Sequence, residues 1–202
     1  MKFFKRFPHF KQNNSSDGGP TSLRRIARHY GLDYSMEMLR KRCHITRRGV
    51  NLLGISEAAE YIGFETAGVK VTFEQLAEEG VFPCILHWNQ NHFVVCYGIE
   101  KCKRGGYKIH ISDPASQRLT YTKDEFERCW IGPQADENSN GVALMLEPGD
   151  DFGKIEDEYR KNSRSMLSFA KYFTPYRNMI GQLVLAMLVG RVIPMILPFF
   201  AQ

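Results

Sequence analysis

The chain has 202 residues, of which 43% are hydrophobic and 24% are charged, and its formal net charge is +5. This composition excludes a wholly disordered chain, a collagen-like chain and a polytopic membrane protein. The positive charge is small and spread along the chain, so no nucleic-acid partner is predicted. The five cysteines form no CxxC pair and no disulfide-scaffold spacing, which favours a reducing compartment.

The first two thirds of the chain contain helical patterns followed mainly by strand patterns. The segment TSLRRIARHYG predicts a helix that Gly31 ends. Pro20 suits its first turn, and Ser16 or Asp17 can cap it. Further helices are predicted at residues 35–43, 51–62 and 72–79, and strands at residues 64–71, 84–88, 92–99, 107–112 and 142–147. Helices that precede an antiparallel sheet predict an α+β fold for residues 1–148.

The C-terminal quarter of the chain has a different composition. Residues 149–178 are charged and favour a helix, which predicts an amphipathic linker. Residues 179–201 are largely apolar, and a run of about 20 such residues can cross a hydrocarbon core. We therefore expect residues 179–202 to begin the first transmembrane helix of a longer protein, with the basic residues before it on the cytoplasmic side. A buried amphipathic core helix is the alternative.

Two polar residues lie at the ends of neighbouring predicted strands. His92 opens a strand after a polar turn, and Asp113 ends the next strand along the chain. In an antiparallel sheet the two side chains can meet, and the carboxylate can then hold the imidazole as a base. Considered alone, a histidine in such a pair more often has a structural role, in which its ring nitrogens are simply hydrogen-bonded.

The start of the first predicted helix is the third chemical feature. A helix N-terminus stabilises an anion, so a cysteine there would have a lowered thiol pKa. Papain-type peptidases place their nucleophile in this way, in the chain order Cys, His, Asp or Asn. In this chain the corresponding position is Gly18.

The motifs around these positions resemble one family. The segment QNNSSDGGPTSLRRIARHYG, from Gln12 to Gly31, is similar to the signature of the bacteriocin-processing cysteine peptidases (family 39), which form the N-terminal domains of ABC exporters. HFVV at residues 92–95 and DPA at residues 113–115 resemble the His and Asp motifs of that family, and the C-terminal apolar segment resembles the first membrane helix of such exporters. The resemblance implies a papain-like fold, with the N-terminal helices packed on an antiparallel sheet.

The resemblance also implies roles for individual residues. Position 18 would hold the nucleophilic thiol, with Gln12 as the oxyanion-hole side chain, His92 as the base and Asp113 as its orienter. Asp17, Gly19 and Trp88 are further expected substrate contacts. Glycine at position 18 supplies no attacking atom, so we expect a catalytically inactive chain.

The implied partners follow from the same family. They are the leader of a secreted bacteriocin-like peptide, which the family cuts after Gly-Gly, and the remainder of an ABC transporter that is a homodimer at full length. The implied location is the cytoplasmic face of the bacterial plasma membrane, with residues 179–202 entering it. No cofactor is expected in this segment, and ATP and Mg²⁺ are expected in the missing part of the transporter.

Two alternatives to this function remain open. One is a natural docking domain that holds cargo without cleaving it, as in some toxin exporters. The other is an unrelated membrane-anchored binding protein, which predicts no pairing of His92 with Asp113. Gly18 itself reflects either an engineered change or a natural loss, and the retention of Gln12, His92 and Asp113 favours engineering or recent loss.

Other conspicuous residues have simpler interpretations. Cys84 and His87 lie three residues apart on a strand and face opposite sides, so no metal site is predicted there. Trp88 also suits sheet packing. The basic runs at residues 40–42 and 47–48 predict a solvated surface, with docking to acidic lipid or to the transporter as the alternative.

Overall fold

The computed structural model describes residues 7–12, 14–46, 49–102, 105–133 and 139–154, together with Gln182 and Met187. The chain forms two compact units, residues 1–161 and residues 162–202. The predicted linker at 149–178 and the predicted transmembrane start at 179–202 lie almost entirely outside the described residues. Among the residues that are described, none of the helices has the length and apolar composition needed to cross a membrane.

The elements described below belong to the first unit. Helices α1 to α5 span Gly18–His29, Met36–Arg42, Leu52–Tyr61, Phe73–Glu79 and Lys123–Trp130. Strands β1 to β6 span Phe64–Val71, Cys84–Trp88, His92–Lys101, Tyr107–Ser112, Arg118–Tyr121 and Gly141–Pro148. The strands form one antiparallel sheet in the order β1-β6-β2-β3-β4-β5. The predicted α+β fold is confirmed, and the predicted helices and strands are present with small shifts of their ends.

Two elements were not predicted, the short strand β5 and the helix α5. The start of α5 carries a capping box, in which the backbone N–H of Thr122 donates to Glu125 Oε2 at 2.9 Å. A similar exchange between Thr72 and Gln75 starts α4. Such caps stabilise a helix by about 1 kcal/mol. The Thr-x-x-Glu spacing was therefore the available sequence signal for α5.

The sheet separates two apolar clusters, because successive residues of a strand point to opposite faces. On β3, Phe93 and Val95 join the first cluster, under α1, α2 and α3, whereas Val94 and Cys96 join the second cluster, under α4 and α5. Full burial of an aliphatic or aromatic side chain contributes about 1.5–3 kcal/mol. The first cluster packs α1 against β3, the strand that begins with His92.

Candidate active site

The start of α1 is held by an ion pair. Gly18 is the first residue of α1 and is buried, and it follows a short 3-10 turn, Ser15–Asp17. Asp17 occupies the predicted N-cap position, but its side chain makes no capping hydrogen bond to α1. Its carboxylate instead accepts hydrogen bonds from Arg40 Nε at 2.8 Å and from Arg40 Nη2 at 2.6 Å. The ion pair between Arg40 and Asp17 therefore links α2 to the turn that precedes position 18.

This ion pair changes the interpretation of both residues. The Asp17 side chain is 2% exposed, and hydrogen bonding by Arg40 lowers the pKa of Asp17 although burial opposes the shift. Asp17 is thus an ionised group paired with Arg40, and its expected contact with substrate stays a prediction. Arg40 is 35% exposed, so within the predicted solvated basic surface at residues 40–42 it also supplies the counter-charge that a buried carboxylate requires.

The strand ends bring His92 and Asp113 together. His92 begins β3, and Asp113 directly follows β4, its antiparallel neighbour. His92 Nε2 lies 2.7 Å from Asp113 Oδ1, and each side chain is 20% exposed. The backbone N–H of Ala115 donates a second hydrogen bond to Asp113 Oδ1 at 2.8 Å. The predicted contact between the two side chains is confirmed.

The electrostatics of the pair favour an ionised Asp113 carboxylate beside the His92 ring. Burial raises the pKa of Asp113, but hydrogen bonds from His92 and Ala115, together with the positive charge of Arg25, hold that pKa below its ordinary value. Asp113 is therefore ionised at neutral pH and accepts the Nε2 proton of His92. In the neutral ring this leaves His92 Nδ1 as the nitrogen that can accept a proton.

Position 18 faces that nitrogen. A Cβ atom built on Gly18 would lie 3.4 Å from His92 Nδ1 and 3.4 Å from Gln12 Oε1. Both are ordinary van der Waals distances, so a small side chain fits there while its neighbours stay in place. A nucleophile at this point would have its base directly beside it. Glycine places no side-chain atom beside His92 Nδ1.

Gln12 completes the group of side chains around position 18. Its backbone N–H donates to Pro114 O at 2.9 Å, which holds it beside the loop that follows Asp113. Its Oε1 is buried and has no hydrogen-bond partner among the described residues. Rotation of a glutamine amide exchanges its oxygen with its NH₂ donors. Gln12 can therefore direct a donor at position 18, as an oxyanion hole requires.

The other hydroxyl and thiol groups considered near α1, those of Thr21, Ser22 and Cys43, are buried. The Ser22 hydroxyl is fully buried and donates to Phe93 O at 3.4 Å. Thr21 lines a small cavity of about 50 Å³. Burial raises the pKa of Cys43 to about 12, so its thiol is protonated and a poor nucleophile. Position 18 is thus where the structure provides a base for a nucleophile.

Gly19 and Trp88, two predicted substrate contacts, lie in packed surroundings. A Cβ on Gly19 would lie 2.6 Å from Val50 Cγ1, so glycine is what lets α1 approach the segment before α3. Trp88 is 4% exposed, and its ring centroid lies 5.4 Å from that of Phe126 in the second apolar cluster. Both residues pack against the protein's own side chains, which fits the alternative interpretation of Trp88 as sheet packing.

An open cavity of about 410 Å³ is lined by residues next to two of the site residues. Phe93 lines it directly after His92 in the chain, and Val50 lines it beside Gly19. The remaining lining residues are Asn51, Leu52, His87, Gln90, Asn91 and Val142. Sequence patterns did not indicate this cavity. Of the apolar pair at the start of α3, Leu52 lines the cavity, whereas Leu53 is 65% exposed and is not among the lining residues.

Comparison with known proteins agrees with this geometry. The Peptidase C39 family matches residues 6–135. The chain is 30% identical over 168 residues to a probable microcin-H47 secretion/processing ATP-binding protein of Escherichia coli, a match that covers 83% of this chain and 22% of that protein. The chain thus spans about a quarter of the length of the curated relatives that it matches.

Two solved structures share the fold. A double glycine motif protease from an AMS/PCAT transporter, in complex with the leader peptide, is 33% identical with a TM-score of 0.61, over 71% of this chain and 92% of that chain. The peptidase domain of Streptococcus ComA, described as a bi-functional ABC transporter, is 27% identical with a TM-score of 0.58, over 71% of this chain and 99% of that chain. Since the family match extends over well over half of the chain and includes the segments around positions 12, 18, 92 and 113, this chain belongs to the Peptidase C39 family.

Proposed function

We propose that this domain binds the leader segment of a secreted peptide and does not cleave it. The observation that carries the proposal is position 18, where a side chain would fit beside His92 Nδ1 and Gln12 Oε1 but glycine supplies no nucleophile. Removal of the attacking atom abolishes covalent catalysis. The surfaces that would receive a peptide do not depend on that atom.

The open cavity lined by Leu52, Phe93 and Val142 supports leader binding. A helical leader docks through apolar residues at i, i+3, i+4 and i+7. Leu52, Phe93 and Val142 offer an apolar wall for such a face. The double glycine motif protease from an AMS/PCAT transporter was solved in complex with the leader peptide.

The burial of position 18 supports a Gly-Gly sequence at the end of the leader. Gly18 is buried, and the His92 ring lies within van der Waals distance of any side chain at this position. Residues with side chains would clash with these walls, whereas consecutive glycines would pass.

The larger context in this proposal is an ABC transporter that exports bacteriocin-like peptides across the bacterial plasma membrane. The names of curated relatives combine secretion or transport, processing and ATP binding. This domain would lie on the cytoplasmic side and deliver cargo to a homodimeric transporter. ATP and Mg²⁺ would bind in parts of such a protein beyond these 202 residues.

Restoration of the thiol tests the proposal. The parent chain, Gly18→Cys and Gly18→Ala would be incubated with a synthetic peptide that carries an amphipathic helical leader, Gly-Gly and a short cargo sequence. We expect mass spectrometry to detect cleavage after Gly-Gly by Gly18→Cys alone, and iodoacetamide to block it. Gly18→Ala is the matched control, because it fills the position without a thiol.

Two other outcomes are informative. Cleavage by the parent chain would contradict the proposal, because a nucleophile would then exist elsewhere. Binding without cleavage by Gly18→Cys would support the second function, a docking domain whose site as a whole has lost catalysis.

A further inference from the structure

Arg25 is a charged residue in the core behind the site. It lies on α1 seven residues after Gly18, two turns further along the same face of the helix. Its exposure is 0%, although arginine is almost never fully buried unless it is paired. Burial of a guanidinium is costly without hydrogen bonds, so its contacts must offset that cost.

The guanidinium of Arg25 contacts two chain segments besides its own helix. Nε donates to Phe10 O at 3.1 Å, and Nη2 also donates to that oxygen. Nη1 donates to Ser112 Oγ at 2.8 Å, and Nη2 donates to Asp113 O at 3.2 Å. All these acceptors are neutral, and none of the ion pairs among the described residues includes Arg25.

These two segments are the ones that supply the site. Phe10 lies two residues before Gln12, and Ser112 lies one residue before Asp113. The hydrogen bond from Gln12 N to Pro114 O joins the same two segments directly. Arg25 therefore links the Gln12 segment, the end of β4 and α1, three parts of the chain that are distant in sequence.

The positive charge of Arg25 also acts on the Asp113 carboxylate. Burial lowers the pKa of Arg25 to about 10, while Asp113 opposes that shift, so the side chain is charged at neutral pH. Besides Arg25, the charged and titratable groups that interact with Asp113 are His9, His92 and Tyr121, and Arg118 acts on His9.

We propose that Arg25 is a positioning residue, whose guanidinium fastens the Gln12 segment and the Asp113 end of β4 to α1 and so fixes the His92–Asp113 pair opposite position 18. The proposal concerns the same site as the proposed function but holds without any leader peptide. Its failure can therefore be distinguished from a failure of leader binding.

The adjacent residue Arg24 is a matched control. It belongs to the same helix and is 8% exposed, and its guanidinium makes a bidentate ion pair with Asp33, at 2.7 Å and 3.2 Å. That guanidinium also lies over the Phe10 ring, 4.5 Å from its centroid, so this control separates the ring contact from the hydrogen bonds that Arg25 makes. Arg24→Met therefore removes a nearly buried arginine from α1 while the contacts of Arg25 to Ser112 and Asp113 remain.

The test is NMR spectroscopy of the full chain. We would follow the downfield proton resonance of the His92 Nε2–Asp113 Oδ1 hydrogen bond at low temperature, and the pH titration of the Asp113 carboxyl carbon. In Arg25→Met we expect the downfield resonance to be lost or shifted and the Asp113 pKa to rise. In Arg24→Met we expect both signals to match those of the parent. Arg25→Lys should recover part of the Asp113 shift, because it keeps the charge.

A second variant covers the case in which Arg25→Met does not fold. Ser112→Ala removes one acceptor of the guanidinium and retains its charge, and we expect it to shift the downfield resonance. The proposal is overturned if folded Arg25→Met keeps both parental signals, or if Arg24→Met changes them to the same extent. It is also overturned if Arg25→Met does not fold and Ser112→Ala leaves the resonance unchanged.

Discussion

The two faces of the sheet bury different kinds of side chain. Under α4 and α5 the second cluster is apolar and aromatic, and Trp88, Phe126 and Trp130 are packed together there. Six of the described residues are buried and polar or charged: Asp17, Thr21, Ser22, Arg24, Arg25 and Ser112. All of them belong to α1, its N-cap or the end of β4. One face thus supplies mainly packing, while the other retains costly polar contacts that arrange a site.

The largest effect should come from the site itself. In the Gly18→Cys background, His92→Ala should reduce cleavage by about a million-fold, the order of loss seen when a triad loses its base. His110→Ala is the control, because His110 lies further along the sheet beside Glu100. Cleavage rates measured by mass spectrometry would check this. Similar losses in both variants would show that the His92 effect is not specific to the pair.

On the apolar face, Phe126→Ala should lower the free energy of unfolding by about 3–5 kcal/mol, because a fully buried aromatic side chain leaves a cavity. Urea denaturation would measure this loss. The folded fraction should keep the parental His92–Asp113 proton resonance. A change of that resonance would show that the two faces of the sheet are coupled and would contradict their separate roles.

The ion pair at the start of α1 should make stability depend on pH. Asp17→Asn should cost about 1–3 kcal/mol at pH 7, since Arg40 loses its charged partner. The folded pKa of Asp17 is lowered, so its contribution is present above the unfolded pKa and is lost as the pH falls through the folded value. Urea unfolding at several pH values should therefore show the difference between parent and Asp17→Asn shrinking below about pH 4. A difference that stays constant with pH would contradict this account.

The smallest effect concerns the cavity wall. Leu52→Ala should weaken leader binding by up to about tenfold, or ~1.4 kcal/mol, because Leu52 lines the open cavity of about 410 Å³. Leu53→Ala is the matched control, since the neighbouring leucine is 65% exposed and is not among the lining residues. Fluorescence anisotropy with a labelled leader would compare them. Equal losses in both variants would place the leader on a wider surface of α3.

Local patterns explain which parts of this molecule could be predicted. His92 begins one strand and Asp113 follows the end of the next. Because consecutive strands of an antiparallel sheet run in opposite directions, the start of the first strand lies beside the end of the second. The helix α1 has a regular apolar face with Leu23, Ile26 and Ala27, all fully buried. The first feature depends on the pairing of two consecutive strands and the second on residues close in sequence, so the sequence predicts both.

Partners that are distant in sequence could not be predicted. Arg40 lies 23 residues after Asp17, and Arg25 lies 87 residues before Ser112, so no local spacing indicates either contact. Arg25 is polar in any periodicity analysis and would be placed on the exposed side of α1. The strand β5 has four residues, too few for a strong alternation signal.

The central claim is that leader binding persists without the nucleophile. Isothermal titration calorimetry of a leader peptide that ends at Gly-Gly, and so contains no bond to cleave there, would compare the parent chain with Gly18→Cys. We expect the two dissociation constants to agree within about tenfold, or ~1.4 kcal/mol. Measurable binding to Gly18→Cys with none to the parent would contradict the claim, because the side chain at position 18 would then be needed to organise the binding surface.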